Sequence, residues 1–288
     1  MALVAEALAS LRDRLAAAGV PSPEADAGIL LGSVLGLSRG ELLAHAHQGK
    51  EIPAELSAVL EPLVQRREAR EPLQHIIGRA PFMNFEVEVG PGVFIPRPET
   101  ESLAERAISV AQNLGVDERG LSVVDLCSGS GVLAICLARA VPWASVVAVE
   151  ISPEALGYLK RNVSRLAPSV EVVRASVSEF AATQAESSLD MIVANPPYIP
   201  DSEVPNDPEV FAHDPHLALF GGADGLDVVR EIVVLALHAL RPGGVIMMEH
   251  SNLQGAAMAE LLAESGFRTI HTEQDLLGRD RFTHAIAP

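Results

Sequence analysis

The stretch Ser122-Val123-Val124-Asp125-Leu126-Cys127-Ser128-Gly129-Ser130-Gly131 decides the fold. Ser122 to Leu126 is a short apolar run that reads as a buried strand. It opens into a glycine-rich turn and then a helical run through Val132, Leu133, Ile135, Cys136 and Leu137. Glycines at such a switch let the backbone approach a ligand closely. Further strands are expected at Ser145 to Val149, Val170 to Ala175, Met191 to Ala194 and Val245 to Glu249, with a helix from Val228 to Leu240. Strands alternating with helical patterns predict an α/β domain, a parallel sheet with helices on both faces.

The second of these strands ends in Glu150, about 20 positions beyond the glycine turn, where a carboxylate can accept both hydroxyls of a ribose. This spacing suits NAD and S-adenosylmethionine equally. The full three-glycine pyrophosphate fingerprint is missing, which turns the reading toward S-adenosylmethionine. Val177, just after the third strand, is placed to pack on an adenine.

The fourth strand stops at Asn195-Pro196-Pro197-Tyr198. Neither proline can donate to a sheet ladder, and each holds the preceding residue extended. The Asn195 side-chain oxygen and the Pro196 carbonyl are therefore two fixed acceptors where open α/β sheets place ligands. A primary amide or amine brings two N–H donors to match them. Such a cradle orients the nitrogen and favours positive charge developing on it, and it rejects a carboxylate, which has no donors. Tyr198 is expected against the planar face of the bound group.

The remaining sequence bounds the function. The 288 residues are 48% hydrophobic, carry two cysteines and have a formal net charge of -17. That charge argues against broad phosphate-backbone binding, and two cysteines make no disulfide framework. The pairs His45/His47 and His213/His216 lack further ligands at metal spacing, so no metal is expected. No apolar run approaches the ~20 residues of a membrane span, and the N-terminus lacks a signal peptide's basic start, so a cytoplasmic enzyme is expected.

Residues 1–78 read as a helical bundle. Val4, Leu8, Leu11 and Leu15 fall at helical spacing, Ser22-Pro23 starts a second helix that Gly36 stops, and Ser38 to Glu41 forms a capping box. A fourth helix is expected from Pro53 to about Arg70, kinked at Pro62. Residues 79–99 read as a β-hairpin connector, with a strand from Phe82 to Val89, a turn at Gly90-Pro91-Gly92 and a return strand Val93 to Ile95. Residues 100–288 form the α/β domain, beginning with a helix from about Thr100 to Leu114. Within it, Val204 to Asp227 is a long segment expected to act as a lid or substrate wall. Arg241 to Gly244 reads as a turn, and the last ~25 residues suit a closing antiparallel strand pair.

Taken together, the chain resembles the bacterial release-factor glutamine methyltransferases along essentially its whole length. The resemblance rests on Pro72-Leu73-Gln74-His75-Ile76-Ile77-Gly78, Phe94-Ile95-Pro96-Arg97-Pro98-Glu99-Thr100-Glu101, the Asp125-to-Gly131 turn, Asn195 to Tyr198, and the block from His216 to Asp227. It implies a seven-stranded, Rossmann-like class I methyltransferase domain behind the helical one. It also implies methyl transfer from S-adenosyl-L-methionine to the side-chain nitrogen (N5) of the glutamine in the Gly-Gly-Gln tip of peptide-chain release factors. Carried over, Cys127, Ser128, Gly129, Ser130, Gly131 and Glu150 hold the cofactor, Asn195 touches both ligands, and Asn195, Pro196, Pro197 and Tyr198 hold the glutamine. The sequence departs from the family pattern at Cys127 (a glycine there), Glu150 and Ser176 (aspartates), His75 (a tyrosine) and Glu249-His250-Ser251 (Glu-Ile-Gly). Rival readings are methylation of a nucleic-acid amino group or of a ribosomal-protein glutamine, a dinucleotide oxidoreductase, and a non-catalytic binding module.

Overall fold

The computed structural model describes residues 3–114, 120–205, 207–275 and 277–288. The chain divides into two compact units, Met1–Arg79 and Ala80–Pro288. The first is helical: α1 Val4–Ala17, α2 Pro23–Leu35, α3 Arg39–His47, α4 Ala54–Glu68 and α5 Leu73–Ile77. Their apolar stripes close on one core that includes Leu15, Leu30, Leu31, Leu42 and Val64. The stops lie where the sequence places them. Pro23 opens α2, and Gly36 ends it at φ +68°, its N–H donating to the Gly32 carbonyl. Ser38 and Glu41 form the reciprocal cap of α3. An ion pair between Asp26 and Arg67, 2.7 Å apart and largely buried, ties α2 to α4. Among the described residues no single helix is both long and apolar enough to cross a membrane.

The second unit begins with β1 Arg79–Phe82 and β2 Phe85–Glu88, a two-stranded sheet. Then come α6 Glu99–Asn113, β3 Leu121–Leu126, α7 Val132–Ala140, β4 Ala144–Glu150, α8 Pro153–Leu166, β5 Glu171–Arg174, α9 Val177–Ala181 and β6 Leu189–Ala194. After them follow α10 Pro208–His213, α11 His216–Leu219, α12 Asp227–Ala239, β7 Leu240–Glu249, α13 Gly255–Glu264, β8 Arg268–Gln274 and β9 Asp280–Ile286. The large sheet has seven strands in the order β5-β4-β3-β6-β7-β9-β8. The pairs β5–β4, β4–β3, β3–β6 and β6–β7 are parallel, and β9 runs antiparallel to both its neighbours. β3 and β6 are buried along nearly their whole length because helices cover both faces. One face packs on α6, α7 and α8, the other on α12 and α13. The strand order reverses between β3 and β6, and that switch point is where open α/β sheets bind ligands.

Two local expectations are corrected. The hairpin turns at Met83 (φ +48°), earlier than expected, and residues 90–95 form no strand. Gly90 and Gly92 serve a close approach instead: a Cβ at Gly90 would overlap the Tyr158 ring and hydroxyl, and one at Gly92 would stand 2.8 Å from Glu154 Cβ, both on α8. The expected turn at Arg241 to Gly244 is a bulge inside β7. Leu189 pairs with Leu240 and Met191 with Val245, so four residues of β7 face one of β6 and the ladder then resumes. The segment from Val204 to Asp227 carries α10 and α11 and returns to the sheet end through a bridge between Ile199 and Phe220.

Candidate active site

A cavity of about 360 Å³ opens at the C-terminal ends of β3, β4 and β6. Its first wall is the turn after β3. Cys127 takes a left-handed conformation (φ +57°), and Gly129 and Gly131 follow at φ +55° and +90°. A Cβ on Gly131 would strike Leu159 of α8, so this glycine lets α7 start against the sheet. Ser128 N–H donates to the Val149 carbonyl and Ser128 Oγ to the Asp125 carbonyl, which ties the turn to β4 and β3.

Glu150 closes β4 and is 7% exposed. One of its oxygens accepts the Gly129 N–H and the other the Ser152 N–H, each at 2.8 Å. Each oxygen keeps a lone pair for a ligand hydroxyl. Ile151, Ala175 and Val177 continue the wall with apolar surface. Ser176 lines it too, but its hydroxyl is spent capping α9, where it accepts the Glu179 N–H. It therefore offers no acidic contact.

The residue that sequence reading passed over is Asp125. It lines the cavity while buried, with Oδ2 accepting the Ala134 N–H and Oδ1 without a hydrogen-bond partner among the described residues. Burial pushes its pKa up to about 7. An orphan carboxylate oxygen beside a glycine turn and Glu150 fits a cationic ligand that carries a ribose, as S-adenosylmethionine does. The signal was present in the sequence, an acid inside an otherwise apolar strand, but only its burial against the cavity gives it meaning.

The opposite wall holds Asn195, Pro197, Tyr198 and Ile199. Pro196 is buried and does not line the cavity. Its part in the expected cradle reduces to its carbonyl. The loop is clamped from behind. Gln254 Nε2 donates to the Tyr198 carbonyl at 2.9 Å, and Gly221 and Gly225 pass so close to the Pro197 and Tyr198 carbonyls that neither has room for a Cβ. Burial pushes the Tyr198 phenol above its ordinary range. Phe94, Pro96, Arg97 and Thr100 form a third side. Arg97 lies over the Phe94 ring and bonds Asp214, which brings Pro215, Leu217 and Leu219 onto the same cavity.

This fold with this cavity defines a class I methyltransferase. Residues 6–78 match the PrmC N-terminal domain family and residues 107–211 the methyltransferase small domain family. A release factor glutamine methyltransferase of Mycolicibacterium smegmatis is 46% identical over 94% of this chain and 93% of its own. One of Corynebacterium glutamicum is 40% identical over 99% of each chain. Among solved structures, the Thermus thermophilus 16S rRNA N2 G1207 methyltransferase in complex with AdoMet and guanosine superposes at a TM-score of 0.54 and 26% identity. That match covers 73% of this chain and 50% of that one. The chain belongs to the release factor glutamine methyltransferase family.

Proposed function

We propose that the chain methylates the side-chain amide nitrogen (N5) of the glutamine in the Gly-Gly-Gln tip of peptide-chain release factors, in the cytoplasm, with S-adenosylmethionine as donor. One observation carries the reading: a single cavity joins the glycine turn and its acids, Asp125 and Glu150, to the Asn195 wall. Cys127, Ser128, Gly129, Ser130, Gly131 and Val177 complete the cofactor end. Asp125 takes the ammonium group and Glu150 the ribose hydroxyls. When bound, the cofactor supplies a methyl group already activated on a sulfonium.

The chain's own residues then prepare the amide. Asn195 Oδ1 and the Pro196 carbonyl accept its two N–H groups, and Tyr198 and Pro197 bound its planar face. An amide nitrogen is a weak nucleophile because its lone pair is shared with the carbonyl. Two fixed acceptors raise its electron density and stabilise the positive charge that forms as it attacks. With so good a leaving group no strong base is needed beforehand, and the proton leaves afterwards.

The test is incubation with radiolabelled S-adenosylmethionine and a full-length bacterial release factor, beside a variant in which the tip glutamine is replaced. Label is expected on the first and not on the second. Label on both or on neither would contradict the assignment, and label on RNA instead would favour a nucleic-acid target.

A further inference from the structure

Asn195 can serve as an acceptor only if its amide is held one way round. A 180° flip would aim two N–H donors at a substrate that itself brings two donors, and the cradle would then suit a carbonyl or carboxylate. What fixes the orientation is therefore part of the specificity.

The sheet register sets Ala194 of β6 beside Met248 of β7, so Asn195 and Glu249 leave neighbouring parallel strands side by side. Thr100, in the first turn of α6, completes the corner, and its hydroxyl lies 3.4 Å from Asn195 Nδ2. Glu249 and Thr100 are 1% and 2% exposed. Asn195 Nδ2 donates to the Thr100 hydroxyl, and one oxygen of the Glu249 carboxylate is buried in the same corner without a hydrogen-bond partner among the described residues. The Asn195 NH2 group therefore faces this corner, where the ionised form of Glu249 offers only acceptors. Asn195 also lines the cavity, and among the described residues no protein donor meets its Oδ1.

We propose that Glu249 is a positioning residue, which takes the Asn195 NH2 group and so turns Asn195 Oδ1 toward the substrate amide. This rests on the amide-cradle reading above and extends it to the residue behind the cradle. Burial, with Glu99 nearby, pushes the Glu249 pKa up to about 7, against the pull of Thr100, Arg281 and Asn195. Glu249 acts through Asn195 and does not line the cavity itself.

The experiment is a double-mutant cycle on the full chain, with single-turnover methyl transfer to a release factor as readout. Cofactor affinity by calorimetry and Tm are measured alongside. Glu249→Gln keeps the shape but replaces one acceptor oxygen with a donor. Its transfer rate is expected to fall roughly 10- to 100-fold, the range seen when a group that orients a ligand is lost. Cofactor affinity should be unchanged. In an Asn195→Ala background the same substitution should cost nothing further, because its effect passes through Asn195. A wild-type rate in Glu249→Gln, or losses that multiply in the double variant, would overturn the proposal. A wild-type rate in Asn195→Ala alone would instead overturn the cradle on which it rests. If Glu249→Gln does not fold, Thr100→Val loosens the same carboxylate, and a wild-type rate there overturns the proposal equally.

Discussion

Gly225 shows how the sequence sets the acceptor loop residue by residue. At φ +77° and with the Tyr198 carbonyl against it, the position admits neither the backbone strain of another residue nor the volume of a methyl group. Gly225→Ala is expected to destabilise the unit by about 1–3 kcal/mol, the cost of a strained left-handed residue. It should also lower methyl transfer by displacing Tyr198, with urea unfolding and turnover as the two measurements. Cys127 makes the opposite point. Here a non-glycine residue does occupy a left-handed position, φ +57°, at a cost of roughly 1–2 kcal/mol. The family glycine at that place therefore answers a backbone demand that this chain meets under strain.

At the scale of elements, α10 and α11 and the segment from Phe94 to Thr100 meet over the cavity through Arg97 and Asp214. Burial raises the Asp214 pKa to about 6, against the pull of Arg97. A carboxyl whose folded pKa lies above its unfolded value binds more protons in the native state between the two. Stability from this group is thus greatest below about pH 4 and is lost as pH rises through about 6. Asp214→Asn removes that dependence. The wild-type Tm minus the variant's Tm is therefore expected to decline between pH 4 and pH 7 in thermal scans, on the order of the pKa difference that linkage transmits; a flat difference would contradict it. The helices and strands themselves were legible, because periodicity and caps are local. The hairpin turn and the β7 bulge were not, since Gly90 and Gly92 carry the same turn signal whether the chain reverses or merely passes close to Tyr158 and Glu154.

For the whole molecule, the net charge of -17 and a cavity lined by Asp125, Glu150 and Glu231 fit a small cationic donor and a protein acceptor better than a polyanion. A ligand bound only by the native state adds about 2.7 kcal/mol at 100 times its Kd. For a unit of this size S-adenosylmethionine should raise Tm by roughly 5–10 °C. Scanning fluorimetry with S-adenosylmethionine and with NADH separates the methyltransferase reading from the oxidoreductase one, and an equal shift with NADH would contradict the former.

The sequence by itself determined the alternation of strands and helices, the glycine turn with Glu150 after it, and the stiff Asn-Pro-Pro-Tyr stop. Each is a local pattern, written within a few residues. Only the tertiary structure decided which distant residues stand behind them. Asp125 gains its role when its strand becomes the buried wall of a cavity. Gly221 and Gly225 gain theirs when a later loop folds back on the Pro197 and Tyr198 carbonyls. Glu249, 54 positions from Asn195 in the chain, becomes its neighbour only because β6 and β7 pair in one register. Burial, register and close approach are properties of the packed sheet, and no short window of residues contains them.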